Sequence, residues 1–402
     1  MKIVFLICLI ILNVTQIYSQ WIQQTSGTNE TLLGVSFVNS QTGFITGTSG
    51  KILNTTNGGV TWNTQTSNTT KFLRDVCFTD LLNGTIVGES GLIMKTVNGG
   101  LNWTNQISNT IEHLVHVHFI NSETGIISGQ NGVILTTTNG GTSWIPRNSN
   151  VSAELAGIIM INSVEAYTVG FSGTILKSTD GGINWSQQAS GLTSELRSVS
   201  FVNSGTGFIA GYGGKILKTT NGGSNWSLLN SGITGNLFGI YFTSESNGTA
   251  VGTGRILKTI DGGNNWISQN ISFTGDLYSV IFTNNSNGWT VGQTGRIFFT
   301  NNGGVGINPV SEEIPALYSL SQNYPNPFNP VTNIEFGISK SGFVSLKVYD
   351  TLGNEIETLV STHLVPGKYN YLFDASALTS GIFFYKFVSG EFSETKSMIL
   401  LK

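Results

Sequence analysis

Thr219-Thr220-Asn221-Gly222-Gly223-Ser224-Asn225-Trp226 recurs in this chain, with small changes, at 55–62, 96–103, 137–144, 178–185 and 259–266. A seventh copy at 300–307 ends in Ile307 instead of tryptophan. Each copy reads hydroxyl residue, any residue, Asn or Asp, Gly-Gly, two residues, Trp. The Asn or Asp (Asn57, Asn98, Asn139, Asp180, Asn221 and Asp261) can bond backbone amides that follow it, and the glycines permit positive φ, so the segment encodes a tight turn. The tryptophan then opens the next strand with a large ring to bury. Trp62, Trp103, Trp144, Trp185, Trp226 and Trp266 follow one another at steps of 41, with a single step of 40. A period near 40 residues containing several short strands is the signature of propeller blades.

Aligning the chain on this box exposes the rest of the unit. Leu32, Leu73, Leu114, Leu155, Leu196, Leu237 and Leu277 each stand three residues before a Val or Ile, which is followed two further on by Phe or, once, by Met160. That alternation marks a strand with one apolar face. A second strand (Gly43-Phe44-Ile45-Thr46-Gly47 in the first unit), a third (Lys51-Ile52-Leu53-Asn54), the box turn and a fourth strand complete a four-stranded blade. Seven units predict seven blades. Trp21 lies 41 residues before Trp62, so it fills the tryptophan position of a unit that lacks its first three strands. The N-terminal strand is therefore expected to complete the last blade beside residues 296–300, closing the ring and removing an exposed edge. The one short step falls at Gly252-Thr253-Gly254, where a loop has lost a residue and the strands have not.

Composition agrees with a turn-rich all-β protein: only 10% of residues are charged, against roughly 25% in average proteins. The net charge of −3 argues against nucleic-acid binding, which needs a broad basic footprint. Residues 1–19 read as a secretory signal, with Lys2 ahead of an apolar run too short to span a membrane. With Cys8 inside that run, Cys77 would be left without a disulfide partner after cleavage. The propeller is assigned to 20–307 and a linker with Pro309 and Pro315 to 308–318. A small β-sandwich is assigned to 319–402, with strands expected at 332–338, 343–349, 367–373, 381–388 and 394–401.

Two resemblances follow from these motifs. The repeats, seen most clearly at 173–185 and 214–226, resemble Asp-box (BNR-type) propellers and most closely the photosystem II stability/assembly-factor-like family. The tail resembles the type A C-terminal sorting domain of the type IX secretion system. It shares Tyr324-Pro325-Asn326-Pro327-Phe328-Asn329-Pro330, Val348-Tyr349-Asp350 with Gly353, Pro366-Gly367 with Tyr369, and Ser380-Gly381-Ile382-Phe383-Phe384-Tyr385. That resemblance implies a periplasmic intermediate, recognition of the tail by the type IX export machinery, and removal of the tail with release or surface attachment of the propeller.

Three chemistries come into question for these residues. Sialidases also carry Asp boxes, but here the box side chains are consumed by the turn they build. A sialidase site further needs an arginine cluster, a tyrosine nucleophile with a glutamate partner, and another acid. The arginines stand apart at Arg74, Arg147, Arg197, Arg255 and Arg296. His113, His116 and His118 form a cluster without an evident third ligand, so packing between blades, with a His116–Asp75 contact, is the expected role. No metal or cofactor is expected. The stronger signal is a set of cations that opens the third strand in contiguous blades: Lys215, Arg255, Arg296 and Lys51. On the same face, opposite the box turns, the residue after the repeating leucine is Leu33, Arg74, Val115, Ala156, Arg197, Phe238 or Tyr278, with Phe171 and Tyr212 in nearby loops. This mixed cationic and aromatic surface suits an anionic, protein or glycan partner. Lys95, Lys177, Lys218 and Lys258 are read as stems covering apolar surface. The expected function is an exported, non-catalytic binding or scaffold propeller. An assembly factor for a membrane complex and a glycan-cleaving hydrolase are the alternatives.

Overall fold

The computed structural model describes residues 21–269, 271–304, 308–311, 314–364, 366–375 and 378–402; the expected signal segment and Ile307 lie outside these. Seven four-stranded antiparallel sheets form the ring. Blade 1 comprises Leu32–Phe37, Gly43–Gly47, Ile52–Thr55 and Asn63–Gln65, in order from the axis outward, and the next five blades repeat it. Blade 7 contributes Leu277–Phe282, Gly288–Gly292 and Ile297–Thr300, and its outer strand is Ile22–Gln24 from the far end of the chain. Ile22 pairs with Phe299 and Gln24 with Ile297, so the expected clasp is present.

The box turn works through three side-chain bonds. In all seven boxes the hydroxyl of the Thr or Ser donates to the Asn or Asp and accepts the N–H of the second glycine, the latter at 2.9 Å. In the first six, the Asn or Asp also accepts the N–H four residues on. Both box glycines have positive φ, 69° and 88° at Gly58 and Gly59. At Asp180 the hydrogen bonds from Asn184 hold the carboxyl down at about 2.

From this turn the tryptophan drops edge-on onto the phenylalanine that ends the innermost strand of its own blade. Six such pairs have centroids 5.8–6.0 Å apart at 80–88°, including Trp21 on Phe282 across the chain ends. Each contributes about 0.5–1.5 kcal/mol beyond its burial. The phenylalanine needs room: a Cβ on the glycine that opens the second strand would fall 2.3–2.5 Å from its ring in those same six blades. Blade 4 has Ala166 at the glycine position and Met160 at the phenylalanine position, a flexible side chain that leaves space for the extra methyl. The second strands are buried throughout because neighbouring blades cover both faces, as where Phe37, Ile45 and Leu53 of blade 1 pack with Trp289 and Val291 of blade 7.

The lysine stems have a sharper role than covering apolar surface. Lys95, Lys177 and Lys218 donate to the carbonyls of Gly140, Gly222 and Gly262, the first box glycine of the following blade. Gln24 and Trp289 do the same to Gly58, and Gln65 to Gly99.

The C-terminal part is a sandwich of two four-stranded sheets around one core. The first sheet contains Asn308–Ser311, paired with Gly367–Asp374, so the stretch assigned to the start of the linker is a strand of the tail. The second contains Glu355–Leu364, a strand missing from the sequence-based set; it pairs with Gly342–Tyr349 through two irregularities, which break the regular alternation. The sorting motif is anchored to this core by one ring: Phe328 is 2% exposed while Tyr324 is 80% exposed, and the Phe328 backbone bonds Ile399 in the last strand and Leu401 just past it.

Gly84→Ala should cost about 1–3 kcal/mol in chemical unfolding by driving a methyl into Phe78. Adding Phe78→Met should recover part of that loss, because the pair then copies blade 4; strictly additive losses would refute the coupling.

Candidate functional site

Every innermost strand slips register just after its leucine, between Leu32 and Gly34 in blade 1 and at the equivalent place in the other six. The extra residue of each bulge is Leu33, Arg74, Val115, Ala156, Arg197, Phe238 or Tyr278. A bulge frees one residue from the ladder and re-aims its side chain. All seven line a central cavity of about 640 Å³. The approach is made possible by the glycine ending each second strand, where a Cβ would lie 1.9–2.4 Å from the carbonyl preceding the leucine.

Along blades 4 to 7 these residues join into a continuous arc. Phe171 and Tyr212 sandwich the Arg197 guanidinium at 4.9 and 4.7 Å, and Tyr212 meets Phe238 edge-on at 5.7 Å. Phe238 in turn packs on Tyr278 at 5.2 Å. Tyr278 is held from below, since Gln293 donates to its hydroxyl at 3.1 Å and to Asp276 at 3.1 Å.

The charges are arranged differently from the expected cationic surface. Arg197 is balanced by Glu154 at 3.5 Å and Glu195 at 3.2 Å and donates to the Tyr212 hydroxyl at 2.6 Å, so it fixes the aromatic arc and is not a free cation. These glutamates were missed, although both directly precede the repeating leucine. Arg74 also lines the cavity; among the described residues it has no ion-pair partner, and its Nε is buried without an acceptor. The third-strand cations do not reach the cavity wall. Arg296 lies over Phe273, exposed Arg255 bonds Ser268, and Lys51 lies near Glu30. Lys215 opens its strand half-buried. They belong to the outer part of the face, separate from the mouth.

Deeper in the channel, polar side chains bridge innermost strands that diverge too far to form a ladder. Ser36 accepts the N–H of Phe78, Asp75 that of Val117, His118 that of Met160, and Ser198 and Ser200 those of Ile240 and Phe242. Each link spans 42 residues, one repeat plus one. The histidines are accounted for in this way. His113 accepts the N–H of Ser90, and His116 lies 3.4 Å from Asp75 as expected. Enclosure in the channel pushes His118 down to about 4, with His116 adding to the effect, so it stays neutral and accepts through Nδ1. Burial likewise pushes the Cys77 thiol up to about 12 and raises Asp75, whose rise the charge of His116 opposes.

Residues 13–71, 62–157, 147–234 and 220–315 match the family described as photosynthesis system II assembly factor YCF48. Residues 322–401 match the secretion system C-terminal sorting domain. Among solved structures, the chain is similar to YCF48 bound to D1 peptide, at 21% identity and a TM-score of 0.61, over 70% of this chain and 95% of that one. YCF48 from Cyanidioschyzon merolae gives 17% and 0.61, over 70% and 98%. The WD40 β-propeller domain of Doa1 gives 13% and 0.56, over 69% and 97%. At these identities the likeness establishes the fold. No curated protein matches the sequence.

His118→Ala should cost about 1–3 kcal/mol at pH 7 by orphaning the Met160 amide. A histidine held low contributes stability above its ordinary pKa and loses it as pH falls toward about 4. The gap between the intact chain and the variant, measured by urea unfolding, should therefore narrow from pH 7 to pH 5. A constant gap would contradict the role given to His118.

Proposed function

We propose a polypeptide-binding function for this chain, which belongs to the photosynthesis system II assembly factor YCF48 family and carries a secretion system C-terminal sorting domain. The sorting domain directs it into type IX export, toward the cell surface or the medium. The single observation that carries the binding reading is the arc from Phe171 through Arg197, Tyr212 and Phe238 to Tyr278 at the channel mouth. Rigid aromatic rings present large apolar area at low entropic cost, which is the usual make-up of a binding hot spot. Arg74, open to the same cavity, supplies one cation for a carboxylate of the partner. A solved YCF48 holds a D1 peptide; for this chain the corresponding reading is a segment of another protein laid across the mouth. This keeps the part of the assembly-factor alternative that concerns binding a protein segment.

The non-catalytic reading is supported by what the channel's titratable groups already do. Asp75 and His118 are committed as acceptors to backbone amides of the next blade, and Cys77 is held as a thiol by burial. A general base needs a free lone pair and a pKa near the working pH. His118, pushed down to about 4 with its Nδ1 already bonded, and Cys77, pushed up to about 12, do not meet these conditions.

Panning a random-peptide phage library on the intact chain, then measuring the enriched peptides against Phe238→Ala and Tyr278→Ala, tests the assignment. Each variant should weaken binding by about ten-fold or more with unchanged melting. Binding that ignores both substitutions would move the site elsewhere, and binding confined to a glycan array would replace the polypeptide by a saccharide.

A further inference from the structure

The loop joining the first and second strands, on the box face, differs in blades 6 and 7 from all others. There the two residues before the second strand are Ser246-Asn247 and Ser286-Asn287; elsewhere they are Gln41-Thr42, Leu82-Asn83, Glu123-Thr124, Val164-Glu165 and Gly205-Thr206. The sorting domain touches both of these blades. Ser246 lies 3.2 Å from the Asp374 carboxylate, Asn247 donates to the same oxygen, and Ser286 donates to Glu357 at 3.4 Å. Asn247 is 6% exposed.

Lys258 departs from its repeat in the same place. Its counterparts Lys95, Lys177 and Lys218 are half-buried and bond the next box carbonyl, whereas Lys258 is 5% exposed and lies under the charge of Asp374. Burial pushes Lys258 down to about 8, and Asp374 pulls it back up. Burial also pushes Glu357 up to about 6, with Ser286 opposing and Asp374 adding to the rise. A cation in so enclosed a place is stabilised by a nearby carboxylate, and loss of that carboxylate leaves it uncompensated.

We infer that blades 6 and 7 carry a docking seat for the chain's own sorting domain, in which Asn247, Ser246 and Ser286 receive the carboxylates of Asp374 and Glu357 and the buried Lys258 lies beneath them. The seat lies at the opposite end of the innermost strands from the bulges that line the mouth. Tail and partner therefore occupy opposite faces, and the mouth stays open while the tail is attached. The full chain travels as one closed body, not as two domains joined by a loose tether.

Acetylation of the full-length chain, followed residue by residue with mass spectrometry, tests the seat. Lys258 should react about ten-fold more slowly than Lys95 and Lys218, the same position in other blades. Ser246→Glu sets a like charge against Asp374 from the propeller side, and Asp374→Lys sets one against Lys258 from the tail side. Either should bring Lys258 to the rate of Lys218 while propeller melting is unchanged. A Lys258 that reacts as fast as Lys218 in the unaltered chain would overturn the proposal. So would protection that survives both substitutions, since that would assign its burial to the propeller alone.

Discussion

A glycine carbonyl at the head of the box turn, bonded from the preceding blade in five of the seven boxes, is the contact on which the ring depends. The two positive-φ glycines turn it away from its own blade's ladder, and a buried carbonyl must find a donor. In those five boxes the preceding blade supplies one, by whatever residue its sequence allows: Gln24 and Trp289, Gln65, Lys95, Tyr167 with Lys177, or Lys218. The box is thus a turn within one blade and a latch to the next. Because Trp289 comes from the last blade and Gly58 from the first, the latch there, with the pairing of Ile22–Gln24 to the last blade, also closes the ring that the channel requires.

Fold and site use different positions of the same repeat. The hydroxyl, the Asn or Asp, the glycines, the leucine and the phenylalanine recur because each blade must meet the same packing problem. The bulge residue faces the channel and meets no such constraint, so it is free to differ from blade to blade. Function placed on such positions costs the scaffold little. The result is one face with an aromatic arc around the mouth and an opposite face of box turns, where the sorting domain rests.

Much of this was legible in the sequence. The box spacing encoded the blades, Trp21 encoded the clasp, and the residue after each leucine marked the mouth. The reason it marks the mouth, a register slip forced beside a glycine with no room for a Cβ, needs three dimensions. So does the neutralisation of Arg197, because Glu154 comes from the preceding blade. Lys177, Lys218 and Lys258 do lie over rings, as read from the sequence, but the bonds that Lys95, Lys177 and Lys218 add to carbonyls 44 or 45 residues away leave no local pattern. Residues 308–311 carry a proline and little alternation, so their pairing to the tail could not be read from local pattern.

The central claim, that partners meet this protein at the channel mouth and not on the box face, can be tested directly in the exporting cells. A benzophenone side chain would replace Tyr278 at the mouth in one strain and Val60, 81% exposed on a box turn, in another. A photo-crosslinked polypeptide is expected from position 278 and none from position 60. The reverse pattern would contradict it.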